Sequence, residues 1–173
     1  MQVPLVMTII GPDCTGLVES VARVVADQGG NWLESRMCRL GGEFAGILRI
    51  ELPADKKPPL LDALQKIPGL TVVVQPDAAT PVVTEGRQAR LEIVGHDRPG
   101  IVREITHALA RAGVNVEEFS SECASAPMSG ETLFKAAARL QLPEGCDLAA
   151  LKQELEKIAA DLLVDVSFAE VSA

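Results

Sequence analysis

The chain contains the same short loop twice, and this repeat restricts the folds that it can adopt. The two copies read Gly11-Pro12-Asp13-Cys14-Thr15-Gly16 and Gly95-His96-Asp97-Arg98-Pro99-Gly100. Aligned without gaps, residues 9–38 match residues 93–122 at nine of thirty positions. Each loop follows an apolar run typical of a buried strand and precedes a run with the period of an amphipathic helix. Duplication of one folding unit explains the match and predicts two similar domains.

The order of strands and helices is predicted to be βαββαβ in each half. Periodicity and Gly/Pro breakers predict, in the first half, strands at 3–10, 31–40, 43–52 and 70–75, with helices at 15–29 and 60–67. In the second half they predict strands at 89–95, 114–124, 132–142 and 163–170, with helices at 99–112 and 147–161. Asp147 is predicted to cap the last helix. In this order two helices cover one face of a four-stranded antiparallel sheet, so we expect an α+β protein.

The predicted domains are residues 1–76 and 89–173, joined by a linker at 77–88. The linker holds proline and glycine without a helical period, which favours an extended crossing. In the second copy the connection 124–130 replaces the tight Gly41-Gly42 turn of the first copy. Such an insertion is either a tolerated surface loop or a lid or partner contact.

Composition argues against several classes of protein. A net charge of −8 and 3% aromatic residues oppose direct binding of nucleic acid. No apolar run is long enough for a membrane span and the N-terminus lacks a basic flank, so we expect a cytoplasmic protein. The four cysteines form no C-x-x-C pair and have no histidine cluster beside them, which predicts free thiols and no metal or other cofactor. His96 and His107 adjoin no evident nucleophile, so we expect no enzyme.

The repeated loop has the chemistry of an anion-binding site. A strand, a G-x-D-x-x-G loop and a helix place unpaired backbone N–H groups at a helix N-terminus, where a carboxylate or phosphate can bind. The first glycine of each loop is expected to allow a tight turn, and the second to allow close approach of backbone or ligand. Asp13 and Asp97 either cap their helices or bind the ammonium group of a ligand.

Other residues near the loops extend this hypothesis. Asn31 and Asn115 follow the predicted helices and are expected to return near the loops, either as ligand contacts or as plain turn residues. Pro99 is expected in the first turn of its helix, where proline is tolerated. His96 either hydrogen-bonds a ligand or is simply exposed. The parts together suit a small zwitterion.

The duplicated unit, with G-x-D-x-x-G-[LI]-V followed by G-x-N, resembles the ACT domain, a small regulatory amino-acid-binding module. The resemblance covers nearly the whole chain as two tandem copies. Gly30–Met37 with Gly42–Gly46 is similar to the glycine cleavage system transcriptional repressor family, whose members consist of two ACT domains and little else. This resemblance implies a ferredoxin-like fold and no catalysis.

In ACT domains the ligand binds where the first loop and the start of the second strand meet a neighbouring domain. In the first copy the resemblance implies a site at Asp13, Cys14, Thr15, Gly16 and Asn31. In the second copy it implies a site at His96, Asp97, Arg98, Pro99, Gly100 and Asn115. The second loop is closer to the family pattern, so we expect it to be the ligand-binding site. The first loop is expected to have lost binding or changed specificity.

The resemblance also implies how such a protein regulates. Because the chain shows no basic face or reading helix, we expect it to act through a protein partner, a DNA-binding regulator of glycine cleavage genes. Glycine or serine is the first ligand to consider, and homo-oligomers are expected. Two alternatives remain: a structural interaction module without ligand, and a free regulatory subunit of an amino-acid- or formate-handling enzyme.

Overall fold

Two copies of one strand–helix order are present in the computed structural model, which describes residues 1–77, 87–125 and 132–171. The chain divides into two compact units, Met1–Pro81 (unit 1) and Val82–Ala173 (unit 2). Most of the predicted linker at 77–88 and of the long connection at 124–130 lies outside the described residues. No helix among the described residues is both long enough and apolar enough to span a membrane.

Unit 1 is a four-stranded antiparallel sheet with two helices. Its elements are β1 (Gln2–Pro12), α1 (Leu17–Asp27), β2 (Asn31–Leu40), β3 (Glu43–Pro53), α2 (Lys57–Leu64) and β4 (Thr71–Pro76). A single 3₁₀ turn, Ala54–Lys56, precedes α2. The strand order is β2-β3-β1-β4, so β2 and β4 form the two edges of this sheet.

Unit 2 repeats this arrangement. Its elements are β5 (Gln88–His96), α3 (Ile101–Arg111), β6 (Asn115–Ser125), β7 (Thr132–Gln141), α4 (Leu148–Leu162) and β8 (Val164–Val171). The strand order is β6-β7-β5-β8, and all its pairings are antiparallel. The predicted α+β class with two βαββαβ units is therefore confirmed. Capping by Asp147 is confirmed as well, since its Oδ1 accepts a hydrogen bond from the Ala150 N–H at 3.0 Å.

Each core lies between one face of the sheet and both helices, because side chains alternate across a strand. In unit 1 the buried residues of β1 and β3 pack against the apolar faces of α1 and α2; they are Leu5, Met7, Ile9, Leu48, Ile50, Leu52, Val21, Val25, Leu60 and Leu64. Unit 2 has an equivalent core around Leu91, Ile93, Ile105 and Leu155. The opposite face of each sheet, called the open face below, carries the alternate residues.

Candidate ligand-binding loops

The two repeated loops hold equivalent positions in their units. The first joins β1 to α1, and the Asp13 N–H donates to the Gly42 carbonyl at 2.9 Å. The second joins β5 to α3, and the Asp97 N–H donates to the Thr132 carbonyl at 3.2 Å. Each loop therefore lies at the end of its sheet where the chain passes from β2 to β3 in unit 1, or from β6 to β7 in unit 2.

The two glycines of each loop have different roles. A Cβ built on Gly95 would lie 2.6 Å from Cγ1 and 2.7 Å from Cα of Val164, so this glycine allows β8 to approach closely. Gly100 instead has a φ of +100°, and its counterpart Gly16 has a φ of +86°. These second glycines make the left-handed turn into the helix, which a residue with a Cβ adopts only with strain. The positive φ at each loop thus belongs to the second glycine and not to the first, and close approach of a ligand to the second glycine stays a prediction.

The helices after the loops begin without a side-chain cap. Gly16 is the N-cap of α1 and Gly100 is the N-cap of α3, and neither helix has a capping hydrogen bond from a side chain among the described residues. The hypothesis that Asp13 and Asp97 cap these helices was therefore wrong. Pro99 precedes the N-cap and does not lie in the first turn. The Leu17 N–H at the start of α1 donates to the Cys14 carbonyl at 3.4 Å, and the other N–H groups in the first turns of α1 and α3 have no acceptor within their own helices.

In unit 1 the loop carboxylate is already paired. Oδ2 of Asp13 lies 2.6 Å from Nε of Arg39, near the end of β2. The Asp13 side chain is 35% exposed and the Arg39 side chain is 70% exposed, so the ion pair lies at the surface. Residues Cys14 and Thr15 of the same loop are exposed, and Cys14 is a free thiol. The first loop thus offers a ligand no positively charged side chain of its own and a carboxylate that already has a counter-ion.

In unit 2 the corresponding partner is neutral. Cys123 occupies on β6 the position that Arg39 occupies on β2, and its thiol hydrogen-bonds to the Asp97 carboxylate. Desolvation, followed by the charge of Asp97 and this hydrogen bond, raises the pKa of the Cys123 thiol. Asp97 forms no ion pair with any residue in the described part of the chain.

The second loop also carries a free positive charge. Arg98 is exposed, and within residues 1–77, 87–125 and 132–171 it forms no ion pair. His96 ends β5, opposite Leu133, and is exposed. The second loop therefore combines an uncompensated carboxylate, a guanidinium group and the uncapped N-terminus of α3. A small molecule with one ammonium and one carboxylate group complements this set.

The two asparagines do not lie near their own loops. Asn31 pairs with Glu51, whereas Asp13 bonds to Gly42 at the other end of β3. Nine residues of strand separate these positions, which is about 30 Å. Asn115 is opposite Gln141, equally far from Thr132. The expected proximity was wrong because each helix runs back along the sheet and delivers the chain to the far end.

Sequence reasoning missed Arg39 and Cys123. Both lie the same number of residues after the loop aspartate of their own copy, so extending the internal alignment by one residue would have paired them. Nothing in the pattern of apolar residues indicates that these two side chains reach the loop. The pairing of β2 with β3, and of β6 with β7, is what brings these residues to the loop.

Comparison with known proteins identifies both halves of the chain. A model of the ACT domain matches residues 3–75, and a second ACT-domain model matches residues 89–134. No curated protein has a significantly similar sequence.

Two solved structures are similar along the whole chain. A crystal structure of an unknown protein from Galdieria sulphuraria has a TM-score of 0.89 and 29% identity, covering 99% of this chain and 100% of that one. A crystal structure of a protein provisionally named a glycine cleavage system transcriptional repressor has a TM-score of 0.69 and 20% identity. It covers 100% of this chain and 99% of that one, and at this identity it shows the shared fold alone.

Proposed function

The chain belongs to the ACT-domain family, with two tandem ACT domains, and from this premise we propose that it is a regulatory protein that senses a small amino acid at the loop between β5 and α3. ACT domains are regulatory modules that bind amino acids, so family membership favours regulation over catalysis. The observation that carries the choice of loop is the uncompensated carboxylate of Asp97. Asp97 is exposed and forms no ion pair within residues 1–77, 87–125 and 132–171, so a ligand ammonium group can reach its carboxylate and pair with it.

The remaining groups of the second loop suit the other end of an amino acid. The ligand carboxylate would accept hydrogen bonds from the first N–H groups of α3, with the Arg98 guanidinium beside it. Gly100 leaves open space there, since nothing lies within 4 Å of a Cβ built on it. His96 and Pro99 border the same loop and complete the proposed contacts.

The first loop is proposed as the weaker or altered site. Its Asp13 already has Arg39 as counter-ion, and Cys14 stands where the second loop has Arg98. A ligand ammonium group would have to displace an ion pair of 2.6 Å before it reached the carboxylate. Asp13, Cys14, Thr15 and Gly16 therefore bind an amino acid less tightly, or bind a different ligand.

Asn31 and Asn115 can join such a site only in another way. Because each lies about 30 Å from its own loop, one small ligand cannot touch both. In the proposal they contact the ligand bound by a second copy of the chain, in a homo-oligomer. The exposed edge strands β2 and β6 are the surfaces on which such an assembly can form.

The output of the sensor is proposed to be a change in affinity for a protein partner. The similarity of Gly30–Met37 and Gly42–Gly46 to the glycine cleavage repressor family supports control of glycine cleavage genes, with glycine or serine as first ligands. With a net charge of −8, the chain is suited to contact a DNA-binding regulator rather than DNA itself. The amino acid shifts this equilibrium only if it binds one state better than the other.

The test is thermal unfolding of the full chain against the twenty amino acids. A ligand at one hundred times its Kd should add about 2.7 kcal/mol to the free energy of unfolding. Asp97→Ala should remove the shift, and Asp13→Ala, its matched control in unit 1, should leave it. If the ligand no longer stabilises Asn115→Ala, this would support the proposed contact of Asn115 with a ligand bound by a second copy of the chain.

Absence of any shift would contradict the sensor and favour an interaction module, in which the loops are only turns between strand and helix. Co-purification of a metabolic enzyme would instead favour a free regulatory subunit.

A further inference from the structure

A cavity lies in unit 2, on the open face of its sheet. Its volume is about 300 Å³, and its side-chain lining is drawn from β5, β6 and β7: Glu92, Val94, Ser120, Glu122, Lys135 and Ala137. Alternation along β6 places Glu122 on this face and Cys123, which contacts the loop, on the other. The cavity is therefore separate from the proposed loop site, and cavities of this size hold small molecules.

Two small residues, Ala137 and Ser120, lie at the centre of the cavity. They stand where unit 1 has Ile47 and Arg36, respectively. Ala137 on β7 pairs with Glu92 on β5, as Ile47 on β3 pairs with Thr8 on β1. In unit 1 the Ile47 side chain therefore projects from the centre of the open face, and it is 56% exposed. In unit 2 the alanine methyl group leaves that space empty.

Two opposite charges border the cavity without forming an ion pair. Lys135 and Glu122 are directly opposite each other on β7 and β6. Neither makes an ion pair with any residue in the described ranges of the chain. The other acidic residue, Glu92, is held by Arg90, whose Nε lies 2.9 Å from its Oε1. Directly paired strand positions are about 5 Å apart at Cβ, so these two side chains start side by side on the sheet and one small zwitterion can contact both charged ends.

We propose that this cavity binds a zwitterionic α-amino acid with an apolar side chain. The ligand carboxylate contacts the Lys135 ammonium group, and the ligand ammonium group contacts the Glu122 carboxylate. The apolar side chain lies over Ala137 and Val94, in the space that Ile47 occupies in unit 1. The Ser120 hydroxyl, which points toward the Ala137 carbonyl at 3.5 Å, offers a further hydrogen bond. This site goes beyond the proposed loop sensor and does not depend on it.

Isothermal titration calorimetry of the full chain with L-leucine tests the proposal. Two analogues each lack one charge: leucinamide lacks the carboxylate and 4-methylpentanoate lacks the ammonium group. We expect leucine to bind and both analogues to bind at least tenfold more weakly. No binding of leucine, or equal binding of either analogue, would overturn the proposal.

Ala137→Ile fills the cavity with the residue that the equivalent position of unit 1 tolerates. It should weaken leucine binding at least tenfold, whereas Ala169→Ile, the same change elsewhere on the open face, should not. Lys135→Gln provides a second variant that removes charge without adding volume, and it should also weaken leucine at least tenfold. Unchanged leucine affinity in folded Ala137→Ile would overturn the site.

The loop variant separates this proposal from the loop sensor. Asp97→Asn should leave leucine affinity unchanged, even where it abolishes binding of glycine or serine. Leucine binding that is lost in Asp97→Asn and kept in Ala137→Ile would assign leucine to the loop and refute the second site.

Discussion

The two loops have the same backbone and opposite electrostatic states. In unit 1, Arg39 neutralises Asp13 at 2.6 Å, and in unit 2 the neutral thiol of Cys123 leaves the charge of Asp97 uncompensated. In both copies the second loop glycine has a positive φ, and the aspartate N–H donates to a backbone carbonyl at the start of the third strand. The two copies therefore differ in charge at two positions, Arg39 against Cys123 on the neighbouring strand and Cys14 against Arg98 in the loop. The open faces differ as well, through Ile47 and Ala137.

The first prediction sharpens the comparison of the two close-approach glycines. Gly95→Ala should lower the free energy of unfolding by about 3 kcal/mol, because overpacking forces the backbone to shift. Its new Cβ would lie 2.7 Å from the Val164 Cα, whereas at Gly11 the nearest atom is the Gly69 oxygen at 3.0 Å. Gly11→Ala should therefore cost only about 1 kcal/mol. Urea unfolding measures both, and equal losses would mean that the two sheets pack alike at this position.

The second prediction exchanges the partner residues of the loop aspartates. Cys123→Arg should weaken glycine or serine binding by about 2 kcal/mol, since the new guanidinium competes for a charge-assisted hydrogen bond. Arg39→Cys should conversely release Asp13 and strengthen binding in unit 1. Calorimetry on both variants checks this. If Cys123→Arg binds as the unaltered protein does, the neutral partner is irrelevant to the site.

The third prediction compares a capped helix with an uncapped one. Asp147→Ala removes the hydrogen bond to the Ala150 N–H and should cost about 1 kcal/mol of stability. Asp97→Ala removes no cap from α3 and should change stability by less than about 0.5 kcal/mol in the absence of ligand. Thermal unfolding distinguishes the two, and a larger loss in Asp97→Ala would show that this aspartate stabilises the loop itself.

The smallest effect concerns thiol chemistry. Because the pKa of Cys123 is raised, less thiolate is present at a given pH, and alkylation by iodoacetamide should be slow. Asp97→Asn removes the negative charge that contributes to the shift, so the pKa should fall and alkylation near pH 8.5 should quicken. Cys38, an exposed free thiol on β2, is the matched control and should not respond. Mass spectrometry of the modified sites gives the rates. An unchanged Cys123 rate in Asp97→Asn would contradict the contact.

The fold was predictable because the glycine and proline positions agree with the periodicity of the apolar residues along the chain. The strand predicted at 31–40 is β2, Asn31–Leu40, bounded by glycines on both sides. The helix predicted from Thr15 begins two residues later, because Gly16 takes a positive φ that interrupts the helical backbone. Local signals such as these need no knowledge of tertiary contacts.

The candidate site was predictable only in part. The loops were found from their glycines and aspartates, but the ion pair between Asp13 and Arg39 joins residues that meet only through the sheet. The position of Asn31 was predicted wrongly because a helical spacing does not indicate at which end of the sheet the next strand begins. Side-chain pairing between distant residues leaves no periodic signal in one sequence.

The most direct test of the account is the stoichiometry of amino-acid binding to the full chain, measured calorimetrically with glycine and with serine. The account predicts one site per chain, lost in Asp97→Asn and retained in Asp13→Asn. Binding that survives Asp97→Asn and disappears in Asp13→Asn would contradict it, because the neutralised loop would then be the sensor.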